Sequence, residues 1–101
     1  YIPTDNTAAS CAPTIYGAMT KKRPIITGES GPCRACGIAT LSISYYDLGV
    51  ATGKMAARIL KGEAKVGEMP IEYAATFTKM YNPAICEELD ITVPDGYTAL
   101  D

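Results

Sequence analysis

Short extended runs that break off into helix-opening residues constrain this chain more than any other feature. Tyr1-Ile2-Pro3 leads into Thr4-Asp5-Asn6, Pro24-Ile25-Ile26-Thr27 into Gly28-Glu29-Ser30, and residues 37–43 into Ser44-Tyr45. The first two runs are too short for helices, and the β-branched content of 24–27 suits a buried strand. Residues 37–43 alternate in strand fashion. Strands joined through helices must run largely parallel, because only a crossover connection returns the chain to the starting edge. The expected fold class is therefore α/β, a parallel doubly wound sheet.

The intervening segments read as helices. Over residues 7–22 an apolar stripe of Ala8, Cys11, Ala12, Ile15, Ala18 and Met19 recurs at helical spacing, with Thr4, Asp5 and Asn6 as the cap. Lys21, Lys22 and Arg23 suit the negative end of its dipole, and Pro24 stops it. Pro13 predicts a late start or a kink. Residues 28–32 read as a loop and 33–36 as one helical turn. Ser44-Tyr45-Tyr46-Asp47 forms a capping-box pattern, opening a helix with Leu48, Ala51, Met55, Ile59 and Leu60 facing inward and Lys61-Gly62 at its end. Residues 63–70 are polar, 71–73 and 76–81 extended, Asn82-Pro83 caps a short helix through Glu88, and the tail at 91–96 carries turn chemistry.

A sheet of this kind binds ligands at the carboxyl ends of its strands. Three places lie there: Thr4-Asp5-Asn6, Gly28-Glu29-Ser30 and Ser44-Tyr45. All three follow a strand and two of them open a helix, whose backbone N–H groups and positive dipole end favour a ligand carboxylate.

The 101 residues make one domain at most, and a net charge of −2 from 11 acidic and 9 basic scattered residues argues against a nucleic-acid surface. No run approaches the 18 or so apolar residues of a transmembrane helix. The chain opens on Tyr1 without an initiating Met or a signal-peptide pattern, which predicts a natural N-terminus upstream. Histidine is absent, so catalysis would have to rest on Cys, Asp, Glu, Lys or Tyr.

The run YIPTDNTAAS, then PIITGE, then GIATLSISYYDLGVATGKMAARILKGEAKVGEMPIEY, resembles the C-terminal part of ABC-transporter substrate-binding proteins of the type I periplasmic-binding-protein fold. More narrowly, it is similar to the tryptophan/tyrosine-type uptake branch. The motifs are Pro3-Thr4-Asp5-Asn6, Tyr45-Tyr46-Asp47-Leu48-Gly49 with Thr52-Gly53, and Arg58-Ile59-Leu60-Lys61-Gly62-Glu63.

The resemblance implies a fragment of a C-terminal lobe, with residues 1–70 as lobe core and 71–101 as hinge-crossing and terminal segments. The complete protein would be a non-enzymatic, extracytoplasmic binder that closes on an amino acid, aromatic among the options, and presents it to ABC permease subunits. Any membrane attachment would come through the permease or a lipid anchor outside these residues, and an open sheet edge predicts self-association. A repressor-type effector-sensing domain of the same fold is the alternative.

The candidate ligand contacts are Thr4, Asp5, Asn6, Glu29, Ser30, Ser44 and Tyr45. Related branched-chain amino-acid-binding proteins pair a loop glutamate with the ligand ammonium, which supports the same role for Glu29; plain loop exposure is the bland reading. For residues 4–6 that reading is helix capping. One of Tyr45 and Tyr46 is expected to pack in the core.

The Cys33-x-x-Cys36 pair admits redox, disulfide or half-zinc readings, and a redox enzyme is a third functional class. Yet Cys11 and Cys86 are isolated, and the pair does not open a long helix. Two small packed thiols on a short helix is the favoured reading. No cofactor or metal is expected.

Overall fold

The computed structural model describes residues 1–18 and 23–101. Met19, Lys21 and Lys22, assigned to the first helix and its basic end, lie outside the described residues. In chain order the elements are α1 (Asn6–Ala18), β1 (Ile26–Thr27), α2 (Ser30–Cys36), β2 (Ala39–Ile43), α3 (Tyr45–Leu60), a 3-10 turn (Val66–Glu68), β3 (Phe77–Tyr81), α4 (Pro83–Glu88) and β4 (Thr98–Ala99).

The strands form one sheet in the order β1-β2-β3-β4. β1 pairs parallel with β2, Thr27 against Thr40, and β3 pairs parallel with β4, Tyr81 against Ala99. Ile2 adds a parallel bridge to Thr27, so Tyr1-Ile2-Pro3 is a strand end as the pattern predicts. The α/β class and the parallel pairing follow the sequence reading.

Two compact units divide the chain. The first comprises residues 1–42 and 78–101, the second residues 43–77. In the first, Ala12 of α1, Ile25 and Cys36 of α2 form a buried cluster, with Ile2, Ile15 and Ala35 packed against it. Ile85, Cys86 and Leu100 are buried as well. Asn82 ties this unit together: its Nδ2 donates to Cys33 O (3.2 Å) and Arg34 O (3.0 Å), its Oδ1 accepts from Ile85 N (3.2 Å), and its own N donates to Ile38 O (2.9 Å).

Several expectations need correction. α1 starts at Asn6, well ahead of Pro13, so the late start does not occur, and Cys11 and Ala18 on its expected inner stripe are exposed. α2 begins at Ser30, not Cys33, because a proline in the first helical turn lacks only an N–H that has no partner there, so Pro32 does not oppose it. In consequence Gly28-Glu29-Ser30 also opens a helix, and all three strand-end stretches do so. β1 is only two residues long, with Ile26 44% exposed, while Ile25 ahead of it is buried.

The second unit is built on α3. Ser44 caps it as expected, its Oγ accepting from Asp47 N (3.1 Å). At the other end Gly62 takes φ 74°, Gly62 N donates to Ile59 O (3.0 Å) and Glu63 N to Arg58 O (2.9 Å), the crossed pair of bonds that a left-handed glycine permits. Arg58 also pairs with Glu72. No residue of α3 is fully buried; Leu48, Ala51 and Met55 are half-buried, but Leu60 is 87% exposed, against the expected inward stripe. Burial extends no further than the middle of the helix.

Candidate functional site

Two of the three strand-end stretches are brought side by side in the first unit. Ile2 N donates to Ile26 O (2.9 Å) and Gly28 N donates to Ile2 O (2.8 Å), so the chain leaves both strands at the same level. Thr4-Asp5-Asn6 and Gly28-Glu29-Ser30 then sit at the carboxyl end of a parallel pair, where this class of sheet places ligands.

Asp5 is the N-cap of α1. Its Oδ1 accepts from Ala8 N (2.8 Å) and its carbonyl from Ala9 N (2.9 Å), which is the capping role that competes with ligand contact. Thr4, Asp5 and Asn6 are exposed. Glu29 takes the N-cap position of α2 with extended backbone (φ −152°, ψ 167°), and its carbonyl accepts from Thr27 Oγ1 (2.9 Å) and Cys33 N (3.3 Å). Glu29 and Ser30 are half-buried. Thr27, 1% exposed, thus anchors the backbone that carries the glutamate, a role the sequence reading did not assign. A β-branched hydroxyl two residues before the loop acid is the signal that would have found it.

Ser44 and Tyr45 belong to the second unit. Ser44 spends its Oγ on the α3 cap, and Tyr45 is 57% exposed. Tyr46 is 80% exposed, so neither tyrosine takes the core position expected for one of them. Both stand on the first turn of a helix without fully buried residues, where nothing requires an aromatic ring to pack inward.

The cysteines do not assemble a reaction centre. Cys33, Cys36 and Cys86 are buried, Cys11 is exposed, and all four are unbridged. Cys36 Sγ turns to Pro32 O (3.3 Å) and joins the cluster with Ala12 and Ile25, whereas Cys33 Sγ turns to Gly37 O (3.7 Å) and Cys86 Sγ to Ile38 O (3.5 Å). Burial pushes all three of these thiols above their ordinary range; Thr27 beside Cys33 partly offsets the effect there, while the neighbouring Cys86 and Cys36 add to it. They are protonated packing groups at neutral pH, as the packed-thiol reading expects. Among the described residues no group of three or more His, Cys, Asp and Glu is placed to hold a metal ion.

A pocket of about 480 Å³ lies elsewhere in the first unit, lined by residues that include Tyr16, Arg34, Asn82 and Leu100, and none of the candidate contacts borders it. Nor is any helix among the described residues long and apolar enough to cross a membrane.

Comparison with known proteins identifies the family of the chain. The sequence pattern of the family described as ABC transporter substrate binding protein matches residues 1–100. No curated protein matches. Among solved structures, the ligand-free, open form of CD0873, a substrate binding protein with adhesive properties from Clostridium difficile, is 34% identical with a TM-score of 0.78 over the whole of this chain and 35% of its own. An ABC domain from Streptococcus pneumonia in complex with L-Trp is 35% identical with a TM-score of 0.81, covering 97% of this chain and 35% of its own. A conserved domain protein from Vibrio cholerae is 29% identical with a TM-score of 0.83, covering this chain fully and 36% of its own. The chain thus spans about a third of the length of the structures it matches. It belongs to the ABC transporter substrate-binding protein family.

Proposed function

We propose that these residues form one wall of the solute cleft in the binding component of an ABC importer, acting by binding and not by catalysis. The observation that carries this is the juxtaposition of Thr4-Asp5-Asn6 and Gly28-Glu29-Ser30 at the carboxyl end of parallel strands. Glu29 offers a carboxylate for a ligand ammonium, and the α1 N-terminus with Thr4 and Asn6 offers donors for a carboxylate. An α-amino acid carries both groups a short distance apart. Ser30 lies on the same loop as Glu29; Ser44 and Tyr45 directly follow the carboxyl end of β2 and are carried as candidate contacts on that position.

An aromatic amino acid is the first ligand to test, because the streptococcal structure holds L-Trp at 35% identity. Closure of a second lobe over the solute, and docking of the closed form on permease subunits at the outer face of the membrane, complete the proposal. Isothermal titration of the complete protein with the proteinogenic amino acids is the test. One of them should bind, and Glu29→Gln should weaken it about tenfold or more by removing the charge-assisted contact. Unchanged affinity in Glu29→Gln would remove Glu29 from the site, and no binding by any amino acid would remove the ligand class.

A further inference from the structure

We infer that Gly28 is a positioning residue that sets the spacing between the two cleft loops; the inference rests on the binding role proposed above. Its backbone does not explain the glycine, since among the described glycines only Gly62 and Gly96 have positive φ. Closeness explains it. A Cβ built on Gly28 would stand 2.9 Å from Thr4 N, 2.9 Å from Thr4 Oγ1 and 3.0 Å from the Tyr1 hydroxyl. Ordinary contact begins at 3.4 Å, so a methyl group would have to push Thr4 away by about 0.5 Å.

The tyrosine hydroxyl is the far end of a flexible side chain and can swing aside. Thr4 N cannot, because it belongs to backbone fixed on both sides. Two residues before it Ile2 is held to β1 through Ile26 O and Gly28 N, and one residue after it Asp5 is held by the amides of Ala8 and Ala9. On the opposing loop, Glu29 O is held by Thr27 Oγ1 and Cys33 N. Strain introduced at Gly28 therefore passes into the groups proposed to grip the ligand, and misplacement of such groups by fractions of an ångström is costly for recognition. Gly53 on α3 has nothing within 4 Å of its own added Cβ, which makes it the control.

The experiment uses the complete protein and the tightest-binding proteinogenic amino acid from the titration above. Gly28→Ala should weaken that ligand about tenfold while Gly53→Ala leaves it unchanged. A purely structural role would lower melting temperature alike with and without ligand; a positioning role makes the ligand-induced rise in melting temperature shrink with the affinity. Thr4→Ala removes the hydroxyl but leaves Thr4 N in place, so Gly28→Ala should still weaken the ligand in a Thr4→Ala background. That comparison also serves if Gly28→Ala alone folds poorly, since Thr4→Ala removes one of the two obstructing atoms. Wild-type affinity in Gly28→Ala, or no further loss from Gly28→Ala in the Thr4→Ala background, overturns the inference. If Glu29→Gln weakens binding while Gly28→Ala does not, the cleft assignment stands and only the positioning role falls; if no amino acid binds the wild type, the cleft assignment itself has failed.

Discussion

Replacing Asn82 by Ala should cost this fold about 3 kcal/mol. The side chain is 8% exposed and makes three bonds: Oδ1 caps α4 through Ile85 N, and both Nδ2 hydrogens end on carbonyls of α2. Loss of an N-cap costs about 1 kcal/mol and each side-chain bond to backbone about 1 more. Cys33 O retains a second donor in Gly37 N, which keeps the estimate from rising further. With a urea dependence of about 1.5 kcal/mol per molar for a unit of this size, the midpoint followed by circular dichroism should fall by about 2 M. Asn82→Asp sharpens the test. It keeps the cap acceptor but sets a carboxylate oxygen against Cys33 O and Arg34 O, so it should be at least as damaging as Ala. A loss below about 1 kcal/mol for Asn82→Ala, or a wild-type midpoint for Asn82→Asp, would show that Asn82 does not hold α2 to α4.

Thr40 Oγ1 is buried without a hydrogen-bond partner, so Thr40→Val, which keeps the shape and removes the hydroxyl, should raise stability by about 1 kcal/mol. A lower melting temperature in the variant would instead reveal a buried partner. The thiols give a pH prediction. Cys33, Cys36 and Cys86 titrate above their ordinary range when folded, so the unfolded chain releases protons first: stability should be flat below about pH 8 and fall as pH rises through the thiol range. Urea midpoints from pH 6 to 10 measure this, and a midpoint that stays level to pH 10 would contradict it. In the same protein, a thiol reagent at pH 8 should modify Cys11 rapidly and the other three only on unfolding.

What could be read from the sequence was what is locally encoded. Ser44 and Asn82 announce helix starts because their side chains bond amides three residues on, and Gly62 announces an end because it alone there takes a left-handed conformation cheaply. The strand-end loops followed from the same logic. The illegible parts depend on what lies across from a residue. Gly31-Pro32 looks like a loop until the missing proline amide is seen to cost nothing in a first turn. On β2, Thr40 and Ser42 are buried while Leu41 is 56% exposed, so polarity points opposite to burial. Thr27 shows why: the face shared by Thr27 and Thr40 meets the close turn at Gly37, where an added Cβ would stand 2.8 Å from Thr27 Cγ2, and small side chains fit there. The approach that makes Gly28 necessary is equally a fact of tertiary structure.

α3 has a consequence of its own. A sixteen-residue helix without one fully buried side chain owes little to neighbours, yet it has a serine cap, an acid in its first turn, a base in its last turn and a glycine-sealed end. These are the signals that stabilise helices in isolation, where most short peptides are marginal. The segment is therefore autonomous in a way α1, with Pro13 in its middle, is not. Excised as a peptide, it would populate helix in water to an extent that an α1 peptide would not, which circular dichroism of the two peptides would show.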